Sequence, residues 1–176
     1  MPLHRMLPHI TAVHRSATHS FSKQQQPSIT LISGEGVEGD AHCGTLVQHL
    51  YLVRKDPTRL NVCQVHLLQH ELLDELDLQP GRLGENLTTR DLDLIALPTG
   101  THLTIGTALL EVTGLRSPCN QINRLRPHLM KSCFIPKSKQ PRAGIMAIVL
   151  QGGIIHPNDT IHVTLPPLPH SPLICV

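Results

Sequence analysis

The cysteine best placed for chemistry in this sequence is Cys119. It ends the motif Arg-Ser-Pro-Cys at 116–119, which follows a predicted strand and lies in a stretch without acidic residues between Glu111 and Asp159. A guanidinium group and the free amides at a helix start both favour the thiolate, the form of cysteine that attacks electrophiles and binds soft metals. Buried structural cysteines are also common, so local chemistry leaves a functional and a structural role open.

The stretch around Cys119 is also strongly basic. Its cations are Arg116, Arg124, Arg126, Lys131, Lys137, Lys139 and Arg142. A run of like charges is usually a solvated face, and this is the favoured interpretation; the alternative is an anion-binding site.

A second group of polar residues lies in the glycine-rich loop at 34–44, which contains Asp40 and His42. A metal site needs three or four converging ligands, and no companion pair such as CxxC is present, so a zinc site is disfavoured. These two side chains either orient a substrate or brace the loop. His66 and His70, four residues apart on a predicted helix, are expected on its solvated face rather than at a metal.

The composition excludes several classes of function. Aromatic residues make up 2% of the 176 positions, so the stacking platform of single-stranded nucleic-acid binders is missing. A net charge of +2 is too small for a dedicated DNA-binding protein, and no apolar stretch reaches the ~18 residues of a membrane span. We therefore expect neither nucleic acid nor membrane as a partner.

The cysteine count bears on the compartment. Five cysteines, an odd number without a secretory signal, indicate reduced thiols and a cytoplasmic protein. The basic residues Arg5, Arg15 and Lys23 near the N-terminus make a mitochondrial protein the alternative.

These side chains need a scaffold, and the periodicities predict a small domain rich in β-structure. Strands are predicted at 10–15, 28–32, 102–105, 109–113, 145–150 and 160–164. An apolar stripe between Asn61 and Pro80-Gly81 predicts a helix over 62–76, and a short helix is predicted at 121–130. Many short strands with few helices predict an α+β fold, mostly β and barrel-like. The predicted divisions are an N-terminal extension at 1–9, one domain over 10–164 and a Pro-rich C-terminal tail at 165–176.

Five segments in order resemble the MOSC domain, named after the C-terminal part of molybdenum-cofactor sulfurase. They are His-Ser-Phe-Ser-Lys at 19–23, Gly-Asp-Ala-His-Cys-Gly at 39–44, Gly-Glu-Asn-Leu-Thr-Thr at 84–89, the run from Leu-Thr-Ile-Gly to Arg-Ser-Pro-Cys at 103–119, and Arg-Ala-Gly-Ile-Met-Ala-Ile-Val-Leu at 142–150. Each segment alone is a weak signal, but their order and spacing match a stand-alone MOSC protein over roughly residues 10–164.

The chain departs from the family pattern at Asp91, where relatives usually have glycine. Aspartate adopts the left-handed backbone conformation at some cost, which would preserve the turn. The alternative is an altered rim of the pocket.

The resemblance implies a MOSC-type β-barrel-like domain with a few flanking helices and an essential cysteine, which maps onto Cys119. In sulfurases that cysteine is associated with sulfur carriage, whereas in molybdenum reductases of the superfamily it binds molybdenum. The family is also associated with pyridoxal phosphate through the sulfurase's other domain. No signature of that domain occurs here, and no site for pyridoxal phosphate is found.

The resemblance further implies a pocket for molybdenum cofactor (molybdopterin), with Cys119 as metal ligand and catalytic residue and with Asp40 and His42 as further catalytic candidates. Cations, amides and hydroxyls suit the cofactor's phosphate and pterin. The candidate cofactor contacts are Lys23, Arg54, Asn86, Thr88, Arg116 and Asn120. For Asn86 and Thr88 the alternative is a loop that bonds its own backbone.

Three functions remain open at this point. The first is a molybdenum-dependent reductase of N-hydroxylated small molecules, which needs an external electron donor. The second is a persulfide carrier or sulfurtransferase in molybdenum-cofactor metabolism, which needs a sulfur donor. The third is a non-catalytic cofactor-binding module. The basic surroundings of Cys119 favour cofactor binding over a bare carrier.

Overall fold

Short strands are the main regular elements of the protein, and the computed structural model describes them within residues 6–176. The strands are β1 (His9–Arg15), β2 (Gln24–Gln26), β3 (Ile29–Ile32), β4 (Gly36–Val37), β5 (Val65–Gln69), β6 (Leu87–Arg90), β7 (His102–Ile105), β8 (Ala108–Leu115), β9 (Ile145–Gln151), β10 (Gly153–Ile155) and β11 (Ile161–Thr164). The helices are α1 (Leu50–Lys55), α2 (His70–Leu76) and α3 (Leu129–Ser132).

Eight strands form one curled sheet in the order β11-β7-β8-β9-β5-β6-β1-β2. The β5–β6 pair is parallel, and the other pairs of this sheet are antiparallel. Hydrogen bonds from Ile10 N to Asp159 O (2.9 Å) and from Asn158 N to Ile10 O (2.7 Å) join the start of β1 to the turn before β11. A small antiparallel sheet, β10-β3-β4, lies beside the large one. The predicted α+β, mostly β, barrel-like fold is confirmed.

The core is aliphatic and has two parts. The residues inside the curl include Ile10, Leu67, Leu87, Leu103, Leu110 and Ile145. On the outer side, α2 packs Leu72, Leu73 and Leu76 together with Ile122 and Leu129. Each such side chain contributes roughly 1.5–3 kcal/mol when it leaves water, so leucine and isoleucine build this core without aromatic help.

The predicted helix over 62–76 is wrong in its first half. Residues 65–69 form strand β5, and α2 begins only at His70. The reason is that β5 is covered on both faces: Leu67 points into the curl and Leu68 packs under α2. A strand buried on both faces has a continuous apolar run, which cannot be distinguished from a helix by periodicity alone.

The six predicted strands are confirmed within one or two residues at each end. The predicted helix at 121–130 is interrupted, because residues 120–124 form a 3₁₀ turn and α3 starts at Leu129. Pro127 lies between them and disfavours a helical conformation at the residue before it.

The structure describes the C-terminal segment fully and the N-terminal segment from residue 6 onward. Of the predicted extension at 1–9, residues 1–5 lie outside the described residues. Within the predicted tail, Leu173 is buried in the core and Ile174 O accepts a hydrogen bond from Leu115 N (2.8 Å). The tail therefore returns to the end of β8, where Arg116 begins the site. Within residues 6–176, no helix has the length and apolar character needed to cross a membrane.

Candidate functional site

A cavity of about 530 Å³ opens beside the end of β8 and the last part of the glycine-rich loop. Its wall includes the side chains of Lys23, His42, Asn86, Arg116 and Cys119, which come from four separate segments of the chain. The volume suits a ligand of drug or cofactor size. Among the described residues that line it there is no aspartate or glutamate. The cavity is therefore electropositive.

Cys119 and Arg116 are held by the end of β8. Arg116 N donates to Gly144 O (3.0 Å), which ties the segment to the start of β9, and Cys119 O accepts from Ile122 N (3.2 Å) to begin the 3₁₀ turn. Burial lowers the pKa of the Arg116 guanidinium, while the sulfurs of the neighbouring cysteines act in the opposite direction. No carboxylate within residues 6–176 forms an ion pair with Arg116. Its Nη1 donates to the carbonyl oxygen of Ser117, and its other N–H groups remain as donors for an anion.

The rest of the basic stretch does not reach the cavity. Arg126 donates to Leu76 O (2.9 Å) at the end of α2, and Arg142 pairs with Glu75 on the same helix (2.8 Å). Arg124 and Lys131 are exposed. The basic stretch is therefore mostly a solvated face, two of whose arginines bind α2. Of the stretch, Arg116 is the cation that lines the cavity.

A buried ion pair supports the opposite wall. Lys23 Nζ lies 3.0 Å from Asp40 Oδ1 and 2.9 Å from Oδ2, with 4% and 1% of the two side chains exposed. Asn86 Nδ2 and Ser16 N donate to Asp40 Oδ2 (both 3.1 Å). Burial favours the neutral acid, but the hydrogen bonds from His42 and the charge of Lys23 outweigh it and hold the pKa of Asp40 well below its usual range. Asp40 itself does not line the cavity; it fixes Lys23, Asn86 and His42, which do.

His42 is oriented by this carboxylate. Its Nδ1 lies 3.3 Å from Asp40 Oδ1, and its backbone N–H donates to the same oxygen (3.0 Å). The ring of His19 meets it edge-on with 5.2 Å between the centroids. Within the described residues, Nε2 of His42 has no hydrogen-bond partner. An imidazole held at Nδ1 by a carboxylate, with Nε2 available, is the arrangement of a general acid or base.

Three predicted contacts are not on the wall. Arg54 is exposed on α1, Asn120 is exposed after Cys119, and Thr88 is fully buried in β6 with its hydroxyl donating to Glu85 Oε1 (3.1 Å). The hydroxyl of Thr88 is therefore engaged within its own segment, by Glu85, and does not reach a ligand in the cavity. Asn86 lines the cavity but its amide also holds Asp40 and the His14 carbonyl.

His66 and Cys63 are among the wall residues that the sequence analysis missed. His66, expected on a solvated face, is 4% exposed in β5 and donates through Nε2 to Ala143 O (2.7 Å). Burial lowers its pKa to about 3, so the ring is neutral. Cys63 also lines the cavity, and burial raises the pKa of its thiol while Arg116 acts against this. The misassigned helix hid both residues, since it placed them on the wrong element.

The turn at Asp91 is preserved. Asp91 has φ 62°, in the left-handed region, and its N–H donates to Glu71 Oε1 (2.8 Å). Asp91 is not among the lining residues of the cavity. The departure from glycine is therefore accommodated by a local hydrogen bond.

The described residues contain no group of three histidine, cysteine, aspartate or glutamate side chains able to hold a metal ion. Two thiols, a guanidinium without an ion-pair partner and a described wall without aspartate or glutamate instead suit a group that brings its own metal and carries negative charge. The chemistry of this donor set fits molybdenum cofactor.

A family model described as the MOSC domain matches residues 59–162. The chain belongs to the MOSC family. Among solved structures it is similar to the YuaD protein of Bacillus subtilis, with a TM-score of 0.73, 22% identity, and coverage of 94% of this chain and 97% of that one. It is also similar to YiiM from Geobacillus stearothermophilus, with a TM-score of 0.65, 16% identity and coverage of 94% and 79%.

YiiM from Escherichia coli is similar as well, with a TM-score of 0.59, 19% identity and coverage of 93% and 73%. At these identities the likeness concerns the fold alone. No protein in the curated set matches the chain.

Proposed function

We propose that this MOSC protein binds molybdenum cofactor through Cys119 and reduces N-hydroxylated small molecules. The observation that carries the proposal is the joint placement of Cys119 and the unpaired Arg116 on one acid-free cavity wall. A soft thiolate is the protein ligand that molybdenum in a dithiolene environment accepts, and a partly buried guanidinium is suited to a phosphate.

Different residues of the chain would bind different parts of the cofactor. Cys119 Sγ would bind the metal, and Arg116 with Lys23 would bind the phosphate and the polar edge of the pterin. When bound, the cofactor supplies the two-electron chemistry. The exposed apolar side chains of Leu50, Tyr51 and Leu60 at the cavity rim suit the carbon skeleton of a substrate.

His42 supplies proton chemistry in this proposal. Reduction of R–NH–OH to R–NH₂ and water consumes two electrons, which come from an external donor protein or reductant, and two protons. His42 Nε2–H donates one proton to the hydroxyl oxygen as the N–O bond breaks. Asp40 holds the Nδ1–H and stabilises the ring whenever it is charged.

The test is turnover of an N-hydroxylated amidine by protein loaded with cofactor, with a chemical reductant and the amidine as the measured product. Cys119→Ser is expected to abolish turnover, since a hydroxyl is a poor ligand for a soft metal centre. His42→Gln is expected to lower kcat by about 10²-fold with little change in KM. Cys43→Ser, outside the cavity wall, is the matched control and is expected to retain activity. Turnover that survives Cys119→Ser would contradict the proposal.

A second candidate function, the persulfide carrier, is favoured by a separate observation. Cys63 and Cys119 line the same cavity, and both sulfurs interact with the charge of Arg116. A guanidinium would stabilise the anion of a persulfide on Cys119. Intact-mass analysis after exposure to a polysulfide donor distinguishes this candidate: the carrier gains one sulfur that is lost in Cys119→Ser, and a gain that persists in this variant excludes it. Cofactor binding without turnover would instead indicate a non-catalytic module.

A further inference from the structure

Asn61 is a buried polar residue of the cavity wall to which the proposed reduction assigns no role. The residue is 4% exposed, its Nδ2 donates to His42 O and to Gly44 O (both 2.9 Å), and its Oδ1 accepts from Cys63 N (3.1 Å). An asparagine amide has two N–H donors, so both are used here, and the three partners determine how the amide is oriented. Asn61 therefore ties the glycine-rich loop to the segment that carries Cys63.

The backbone of His42 is held on both sides by buried groups. Its N–H donates to Asp40 Oδ1 (3.0 Å), and its carbonyl oxygen accepts from Asn61 Nδ2 (2.9 Å). Asp40 is 7% exposed and Asn61 4%, so water competes little for these hydrogen bonds. Because Asp40 also lies 3.3 Å from Nδ1 of the ring, the position of the backbone determines where Nε2 points. Loss of the bond from Asn61 would leave Asp40 to hold both the backbone and the ring.

The same asparagine closes the base of residues 45–61, which we call the rim segment. Asn61 N donates to Thr45 O (3.0 Å) and Val47 N donates to Arg59 O (2.8 Å), so the two ends of the segment pair antiparallel. Helix α1 lies between these ends, lines the cavity rim and has no buried residue, so its position depends on the paired ends. The rim segment and the glycine-rich loop therefore share one anchor.

A second contact links the rim segment to His42. His19 Nε2 donates to Gln48 O (2.9 Å), and the ring of His19 meets the ring of His42 edge-on with 5.2 Å between the centroids. His19 is exposed whereas Asn61 is buried, so water competes more for the bond of His19. Asn61 is thus the stronger of the two links.

We propose that Asn61 is a positioning residue that couples the rim segment to His42, so that the surface that receives the substrate and the group that donates the proton are assembled together. This rests on the proposed reductase function for the role of His42. Both amide N–H groups of Asn61 are engaged by the chain, so the residue acts through the carbonyl oxygen of His42 rather than on the substrate.

A double-mutant cycle of Asn61→Ala and His42→Gln in the loaded enzyme tests the coupling. Asn61→Ala alone is expected to lower kcat about 10-fold or more, since a misdirected imidazole loses much of its contribution to proton transfer. In the His42→Gln background, Asn61→Ala is expected to change kcat by less than about twofold, because its effect passes through the missing ring. Losses that multiply fully in the double variant would overturn the coupling.

Asn123→Ala is the matched control. Asn123 Oδ1 also accepts a backbone N–H, from Met130 (2.8 Å), but Asn123 is not among the residues that line the cavity. It is expected to retain the wild-type kcat, and a loss equal to that of Asn61→Ala would overturn the specific role of Asn61.

Nuclear magnetic resonance of the cofactor-free chain separates this proposal from the reductase proposal. In neutral His42 of the wild type the proton is expected on Nδ1, where Asp40 accepts it, and the ¹⁵N shifts of the ring report this tautomer. Asn61→Ala is expected to move neutral His42 towards the Nε2–H form, while Asn123→Ala leaves the tautomer unchanged. An unchanged tautomer in Asn61→Ala would overturn the positioning role even if the protein proves to be a reductase.

The wild-type chain alone tests the anchor if Asn61→Ala fails to fold. The side-chain amide protons of Asn61 are expected to exchange with water at least about 10-fold more slowly than those of the exposed Asn120, because both are buried and hydrogen-bonded. Equal exchange rates for the two side chains would overturn the anchor.

Discussion

At the scale of single residues, the site depends on one buried carboxylate. Asp40 accepts hydrogen bonds from the side chains of Lys23, Asn86 and His42 and from two backbone amides, so five donors converge on it. A buried ion pair need not be stabilising overall, but removal of one partner strands the other charge. Asp40 therefore determines whether Lys23 and His42 keep their positions at the cavity.

We expect Asp40→Asn to lower the free energy of unfolding by about 3 kcal/mol, since Lys23 loses its counter-charge while 4% exposed. Urea unfolding at pH 7 measures this. Asp93→Asn, an exposed carboxylate, is the control and is expected to change stability by less than about 0.5 kcal/mol. An equally small effect of Asp40→Asn would show that the pair is not buried as described.

The two buried histidines predict acid sensitivity. The pKa of His66 is about 3 and that of His14 about 4 in the folded chain, both below the ordinary 6.5. The unfolded chain therefore binds more protons below pH 6.5, and the stability of the fold decreases as the pH falls from 6.5 towards these values. Asp40, whose pKa is also lowered, adds a further loss below about pH 4.

For His66 alone the expected loss between pH 6.5 and pH 4 is on the order of 3 kcal/mol. His66→Gln keeps an N–H donor for Ala143 O and removes the titrating ring, so its unfolding free energy is expected to vary less over this range. His162→Gln, exposed on β11, should behave like wild type. Denaturant unfolding at several pH values measures these free energies. If the free energy of unfolding varied with pH in the same way in His66→Gln and in wild type, the burial of a neutral ring would be contradicted.

At the scale of elements, the join between β5 and β9 positions His66 beside Cys119. Gly144, just before β9, has φ 86°, and a Cβ there would lie 2.0 Å from Leu67 O and 3.0 Å from Nε2 of His66. Backbone atoms cannot yield by that amount without breaking the pairing of the two strands.

We expect Gly144→Ala to destabilise the fold by roughly 3 kcal/mol, as the sum of left-handed strain and a backbone clash. Gly34→Ala is the matched control, because Gly34 has a similar φ of 75° with nothing within 4 Å of the added carbon. It should cost about 1 kcal/mol, from strain alone. Thermal and urea unfolding measure the stability of both variants. An equal loss of unfolding free energy in Gly144→Ala and Gly34→Ala would show that the clash is absent.

Helix α1 forms part of the cavity rim but contains no buried residue. Six residues without a packed face form a marginal helix. We expect its backbone amides to exchange with solvent much faster than those of β9, and to be protected when a ligand fills the cavity against Leu50 and Tyr51. Hydrogen exchange with mass spectrometry on peptides covering 50–55 and 145–151 measures both effects. Slow exchange of α1 without ligand would contradict this expectation.

The elements also show what periodicity can and cannot predict. Strands with one covered face, such as β7 with alternating burial, were predicted correctly because alternation is a local signal. β5 was mistaken for a helix because burial on its second face depends on α2, which follows it in the chain and folds back over Leu68. The very short strands β2 and β4 carry too few residues for any pattern.

At the scale of the whole molecule, the sequence reveals the site through Cys119 and Arg116, which are close in the chain. The partners that complete it lie far apart: Lys23 meets Asp40 across 17 positions, and Asn86 meets Asp40 across 46. Such pairings arise only when the sheet curls, so local patterns do not predict them. Cys63 and His66 were missed because a helix was predicted over 62–76 where β5 lies at Val65–Gln69. Only the order of the MOSC motifs linked the distant segments before the structure did.

The distribution of charge around the cavity is likewise not apparent from the sequence totals. The net charge of +2 hides a cavity whose described wall has cations and no aspartate or glutamate, and Asp40 pairs with Lys23 while Arg116, beside Cys119, has no ion-pair partner among the described residues. This arrangement is the basis for proposing that the cavity binds an anionic, metal-bearing ligand.

The most direct measurement is the molybdenum and pterin content of the wild-type chain beside Cys119→Ala, both produced in a host that makes the cofactor. We expect stoichiometric molybdenum in the wild type, almost none in Cys119→Ala, and wild-type content in the control Cys43→Ala. Molybdenum missing from the wild type, or equal in wild type and Cys119→Ala, would contradict the assignment of this cavity as a molybdenum-cofactor site.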